Sequence, residues 1–117
     1  MPPRPRRPTT PRAVLILSAY PKRAAAERAA RLLVDGGIVA CATVVPNGRA
    51  HYRWKGKQRS EPSVLLWGKT TAARSRSAVR AIRDAHPDQV PEILVLPVSG
   101  GHEPYLAWIA DEVGAKR

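Results

Sequence analysis

Between Ala13 and Val98 the apolar residues keep changing rhythm, and the order of those changes restricts the chain more than any single motif does. Ala13 to Tyr20 is a continuous apolar run closed by Pro21, the pattern of a strand covered on both faces. Lys22 to Asp35 switches to helical spacing: Ala25, Ala29, Leu32 and Leu33 share one face. Glu27 with Arg31, and Arg31 with Asp35, form i, i+4 pairs on the wet side, and Gly36-Gly37 offers a left-handed C-cap. Ile38 to Val45 is again β-rich. Pro46-Asn47-Gly48 interrupts it as a bulge, and Ala50 to Trp54 resumes it. Lys55-Gly56-Lys57 predicts a hairpin turn, with Val64 to Thr70 as the returning strand. A helix over Ala72–Ala85 follows, N-capped by Thr70 or Thr71. Ser75, Ala78, Val79, Ile82 and Ala85 form its inner stripe, and Arg74, Arg76, Arg80 and Arg83 face water. Ile93 to Val98 is the last strand, placed at an edge by Pro97, and a short helix carrying Tyr105, Trp108 and Ile109 on one face runs to Gly114. The order β-α-β-β-α-β plus a C-terminal helix predicts an α+β fold: a ferredoxin-like sandwich with an antiparallel sheet.

At 117 residues the chain matches one domain. Residues 1–12 contain five prolines and four arginines, so they read as a disordered basic tail ahead of a domain over 13–117. No apolar core follows the basic N-terminus, which argues against a secretory signal, and no stretch approaches a membrane span. Cys41 is the only cysteine and has no disulfide partner in the chain, which suits the cytoplasm. Twenty Lys and Arg against nine Asp and Glu give a net charge of +11. That excess invites a polyanion, but the positives are dispersed along the sequence and read better as solvated faces than as a nucleic-acid stripe.

Several segments together resemble the CutA family of divalent-cation tolerance proteins. They are Ala40-Cys41-Ala42-Thr43 followed by Pro46; Tyr52-Arg53-Trp54-Lys55-Gly56-Lys57; Val64-Leu65-Leu66 running into Lys69-Thr70; His86-Pro87 with Val90-Pro91-Glu92-Ile93; Leu96-Pro97-Val98; and Tyr105-Leu106-Ala107-Trp108. They stand in the family's order over roughly residues 13–112. The resemblance implies a tight homotrimer, like the PII-type signalling proteins, with the long hairpin joining sheets between subunits. It also implies a link to tolerance of copper and other divalent metals; no enzymatic activity is expected of the chain. The chain departs from the pattern in the segment after the hairpin turn, where Glu61 is the only acid, and in having Asp88 where the family usually has tyrosine.

Three sets of residues can carry chemistry. Cys41 thiolate and His86 imidazole are suitable ligands for copper or zinc, with Glu92, and Asp88 as a further option, adding oxygen. Such a site must be assembled from separate segments or across subunits. Alternatively, Cys41 is a small buried strand residue and His86 a helix-terminal side chain. Lys69, His86 and Glu92 can converge near one sheet edge, where they hold a small anion or act as acid and base, or Lys69 and Glu92 form a structural ion pair. Tyr52 and Trp54 share one face of the hairpin, where they either cap a pocket or form core and subunit interface. The function these readings favour is a trimeric, metal-responsive protein; a PII-like small-molecule trimer and a nucleic-acid binder are the alternatives. No nucleophile elbow, P-loop or metalloprotease motif occurs.

Overall fold

The computed structural model describes residues 10–114. The expected tail lies mostly outside them. Four strands and three helices follow in the order β1 (Ala13–Tyr20), α1 (Arg23–Asp35), β2 (Cys41–Trp54), β3 (Lys57–Thr71), α2 (Ser75–Ala85), β4 (Ile93–Pro97) and α3 (Glu103–Gly114). The sheet order is β2-β3-β1-β4, and every pairing is antiparallel. Because β1 sits between β3 and β4, the two halves of the chain interlock rather than lie side by side, as the expected ferredoxin-like order requires.

The even-numbered side of β1 meets α1 and α2. Val14, Ile16, Ser18 and Tyr20 are buried there, packed with Ala26, Ala29, Ala30 and Leu33 of α1, Leu66 of β3, and Ala78 and Ile82 of α2. Two buried hydroxyls in this layer are satisfied from the backbone. Ser18 Oγ donates to Glu92 O at 2.8 Å, and Thr70 Oγ1 donates to Ile38 O at 2.7 Å. The odd-numbered side of β1 is only half-covered, so the expected burial on both faces is met on one. Here α3 contacts β1 and β3 near the Ala13 end, where Ala13, Ile109 and Val113 are buried apart from the main cluster.

Several local expectations shift. The buried stripe of α1 is rotated toward Ala26 and Ala30, leaving Leu32 57% exposed, because alanines let the helix lie close to the sheet on that side. Glu27 accepts from Arg23 Nε at 2.7 Å, its partner one turn before rather than Arg31. Ile38 N–H returns to Leu33 O and Gly37 N–H to Val34 O, both at 3.0 Å, with Gly37 at φ 67°. These bonds close α1 by the left-handed motif expected of the glycine pair. Neither Thr70 nor Thr71 caps α2 through its side chain: a 3₁₀ turn, Ala72–Arg74, precedes the helix. Arg74 does not face water freely. Its Nε donates to Val113 O at 3.0 Å and so satisfies a carbonyl at the end of α3. Ala85, expected on the inner stripe, is exposed.

The hairpin ribbon is the most extended part. Its return strand begins at Lys57, seven residues before the expected start at Val64, because residues 57–62 are wet on both faces and show no apolar alternation. Lys55 at φ 49° and Gly56 at φ 78° make a two-residue turn between the paired Trp54 and Lys57. Lysine pays a steric cost at positive φ that asparagine largely avoids. Lys55→Asn is therefore expected to raise stability by about 0.5 kcal/mol, read as a Tm increase of about 2–4 °C. A fall in Tm would contradict the turn assignment.

Candidate functional site

The half-covered face of the sheet can be read off the register. Leu15, Leu17 and Ala19 of β1 stand opposite Lys69, Trp67 and Leu65 of β3, and Leu15 and Leu17 stand opposite Leu96 and Leu94 of β4. Cys41, Thr43 and Val45 of β2 continue these rows. Side chains in register share a face, so this side presents a nearly unbroken apolar surface. Trp67 is 40% exposed, Leu94 51%, and Val45 and Leu96 are similarly open.

A bulge extends that surface into the ribbon. Between Val45 and Gly48 on β2 the chain advances three positions while β3 advances two, from Leu65 to Ser63. The extra residue inverts the alternation beyond it. Tyr52 and Trp54 therefore fall on the side of Trp67, and Arg49, His51 and Arg53 on the other. Asn47 supports the bulge at φ 69°, and Gly48 is required by close approach: a Cβ there would lie 2.5 Å from Ser63 O. Tyr52 donates its hydroxyl to Glu61 Oε1 at 2.9 Å, and this bond raises the phenol above its ordinary range.

Cys41 opens β2 on the same face, half-exposed, directly across from Lys69. Lys69 Nζ lies 3.9 Å from Cys41 Sγ and donates to Thr43 Oγ1 at 2.7 Å. Tyr105 of α3 sits beside the thiol; partial burial first, and the Cys41 sulfur second, push its phenol upward. Tyr105 also stacks on Trp108, centroids 5.6 Å apart, and both rings remain largely open. A thiol flanked by an ammonium and a phenol has the donor chemistry of one ligand to a soft cation.

His86 is differently employed. Its side chain is fully buried. The ring stacks on Tyr20, with centroids 4.2 Å apart and planes 22° from parallel. Asp88 N–H points at Nδ1 from 3.0 Å, so that nitrogen is the acceptor, and Nε2 donates to Ala19 O at 2.7 Å. With both nitrogens engaged, His86 ties the end of α2 to the end of β1. Tyr20 is buried too, which raises its phenol, and its hydroxyl has no hydrogen-bond partner among the described residues.

The expected convergence of Lys69, His86 and Glu92 does not occur within one chain. Lys69 is level with Leu15 and His86 with Ala19, four residues or about 13 Å along β1. Glu92 contributes its backbone carbonyl to Ser18 while its side chain is exposed. For the same reason Cys41, His86 and Glu92 are not gathered around one point in a single chain, and no group of three or more His, Cys, Asp or Glu side chains suited to a metal exists among the described residues. The Tyr20–His86 stack and the Tyr105–Cys41 contact were not anticipated; each joins segments far apart in sequence, and no local spacing signals them.

A family model described as CutA1 divalent ion tolerance protein matches residues 14–112. The chain belongs to the CutA1 family. The divalent-cation tolerance protein CutA of Pectobacterium atrosepticum is 37% identical over 97 residues, covering 83% of this chain and 88% of its own. The crystal structure of CutA from Xylella fastidiosa superposes with a TM-score of 0.84 at 35% identity, over 86% of this chain and 97% of that one. CutA1 from Oryza sativa gives a TM-score of 0.85 at 27% identity, over 88% and 94%. The Pectobacterium relative and the family model are both named for tolerance to divalent ions. No helix among the described residues is long and apolar enough to cross a membrane.

Proposed function

We propose that this CutA1 chain is a non-enzymatic divalent-cation tolerance protein that works as a homotrimer in the reducing cytoplasm, with copper or a similar metal ion as its ligand. The open apolar face carries the reading. A row running from Leu96 through Leu94 and Trp67 to Tyr52 and Trp54 is far from what a lone soluble chain leaves in water. A two-stranded ribbon is marginal without a neighbour to pack on. Further copies cover the face and support the ribbon together.

Metal binding then falls to side chains that different copies bring together. Cys41 is the soft donor on that face, and Glu92, exposed beside the edge strand, is the carboxylate available to a neighbour. His86 acts in this reading as a strut that holds the sheet edge in place. Light scattering at micromolar concentration is expected to return the mass of three chains, and a monomer would overturn the assembly. Titration calorimetry with Cu(II) and Zn(II) is expected to give a Kd well below about 1 mM, weakened about tenfold or more by Cys41→Ser. Binding indifferent to that substitution would remove Cys41 from the site, and no heat with either metal would remove the metal.

A further inference from the structure

The register of β2 against β3 fixes more at Cys41 than the place of a donor atom. Cys41 pairs with Lys69, and Ala40 N–H donates to Lys69 O at 2.8 Å, so thiol and amine leave the sheet side by side on one face. The amine is also tethered. Lys69 Nζ donates to Thr43 Oγ1 at 2.7 Å while it stands 3.9 Å from Cys41 Sγ. No carboxylate forms an ion pair with Lys69 among the described residues. Cys41 and Lys69 are each half-buried, and Leu15 and Trp67 lie in the neighbouring rows of the same face. Strand pairing within one chain sets this contact, so it asks nothing of an assembly.

A cation bonded to Cys41 therefore meets a fixed positive charge. A metal–thiolate bond is about 2.3 Å long, so with Nζ at 3.9 Å from Sγ the ion lies within about 6 Å of the ammonium whatever its approach. The metal–sulfur bond forms as the thiol proton leaves to solvent, and thiolate and ammonium then cancel. A monovalent ion leaves one positive charge on the pair, and a divalent ion leaves two. The carboxylate that a neighbouring copy contributes in the proposed assembly brings the first case to neutrality and the second only to a single positive charge. Residual charge is costly on a half-covered apolar face, and repulsion from the ammonium doubles with the charge of the ion.

We infer that Lys69 is a specificity-determining residue that turns the Cys41 site toward a soft monovalent cation, Cu(I), and away from divalent ions such as Zn(II). The inference rests on the reading of Cys41 as a metal donor. Softness alone already favours Cu(I) on a thiolate, so the decisive quantity is the change when the ammonium is removed. The full chain and its variants are titrated without oxygen, with Zn(II) by calorimetry and with Cu(I) against a chromophoric Cu(I) chelator. Lys69→Met keeps the apolar stem and removes the charge. It is expected to strengthen Zn(II) binding about 25-fold and Cu(I) binding about fivefold, the square root, because the repulsion scales with ionic charge. Lys69→Arg restores the charge and is expected to return both affinities to within about threefold of the parent. Lys69→Gln, a second neutral variant, is expected to repeat the methionine result, and circular dichroism checks that each variant is folded. Equal gains for the two ions, or Zn(II) affinity within about twofold of the parent in both neutral variants, overturns the inference and leaves Cys41 a donor. Binding that Cys41→Ser does not weaken, or no binding of either ion, overturns the underlying reading and the inference with it.

Discussion

Replacing Trp67 with glutamate is expected to leave the protein folded but monomeric. Trp67 stands at the centre of the open face, between Leu17 and Thr43 in neighbouring strands, and 40% of it is exposed in the single chain. A carboxylate there is hydrated in the monomer and costs the fold little. In the assembly it would be enclosed by apolar side chains, with Lys69, two residues along β3 on the same face, as the cation within reach, and the large apolar contact of the indole would be lost as well. A loss of about 4 kcal/mol or more per contact corresponds to at least about a thousandfold in dissociation constant, enough to bring a tight oligomer apart at micromolar concentration. Light scattering reads the mass, and far-UV circular dichroism confirms that the strands survive. A Trp67→Glu variant that still runs as a trimer would mean the copies meet elsewhere.

His86→Ala is expected to destabilise the fold by about 2–4 kcal/mol and to leave metal affinity largely intact. Removing the ring orphans the part-buried Ala19 O, at about 1–3 kcal/mol, and uncovers one face of Tyr20, whose stacking adds roughly another 1 kcal/mol; the exposed Asp88 N–H can turn to water. Urea denaturation at a fixed protein concentration measures the loss; the concentration must be fixed because association shifts the midpoint. A variant within about 1 kcal/mol of the parent that had lost its metal would return His86 to the ligand set.

What the sequence reveals and conceals here follows from the range of the forces involved. β1, α1 and the hairpin turn are written locally: an apolar run between Arg12 and Pro21, a helical repeat ending in Gly36-Gly37, and a glycine between two lysines. The ribbon's second strand is concealed because a strand exposed on both faces has no reason to alternate. The rotation of α1 toward Ala26 and Ala30 depends on the sheet beneath it, which periodicity alone does not describe. The site is harder still. Cys41 and Lys69 are neighbours only through the β2–β3 register, and His86 looks like a free ligand until Ala19 O and Asp88 N–H occupy both its nitrogens.

The extra residue between Val45 and Gly48 makes the ribbon behave like text with a reading frame. Delete one residue there, and every side chain from Arg49 to the turn is reassigned: the tyrosine and tryptophan move to the water side, and two arginines and a histidine are presented to whatever packs on the ribbon. Length in this segment is therefore under tighter restraint than composition, and a single-codon loss would be more damaging than most substitutions along the same strand.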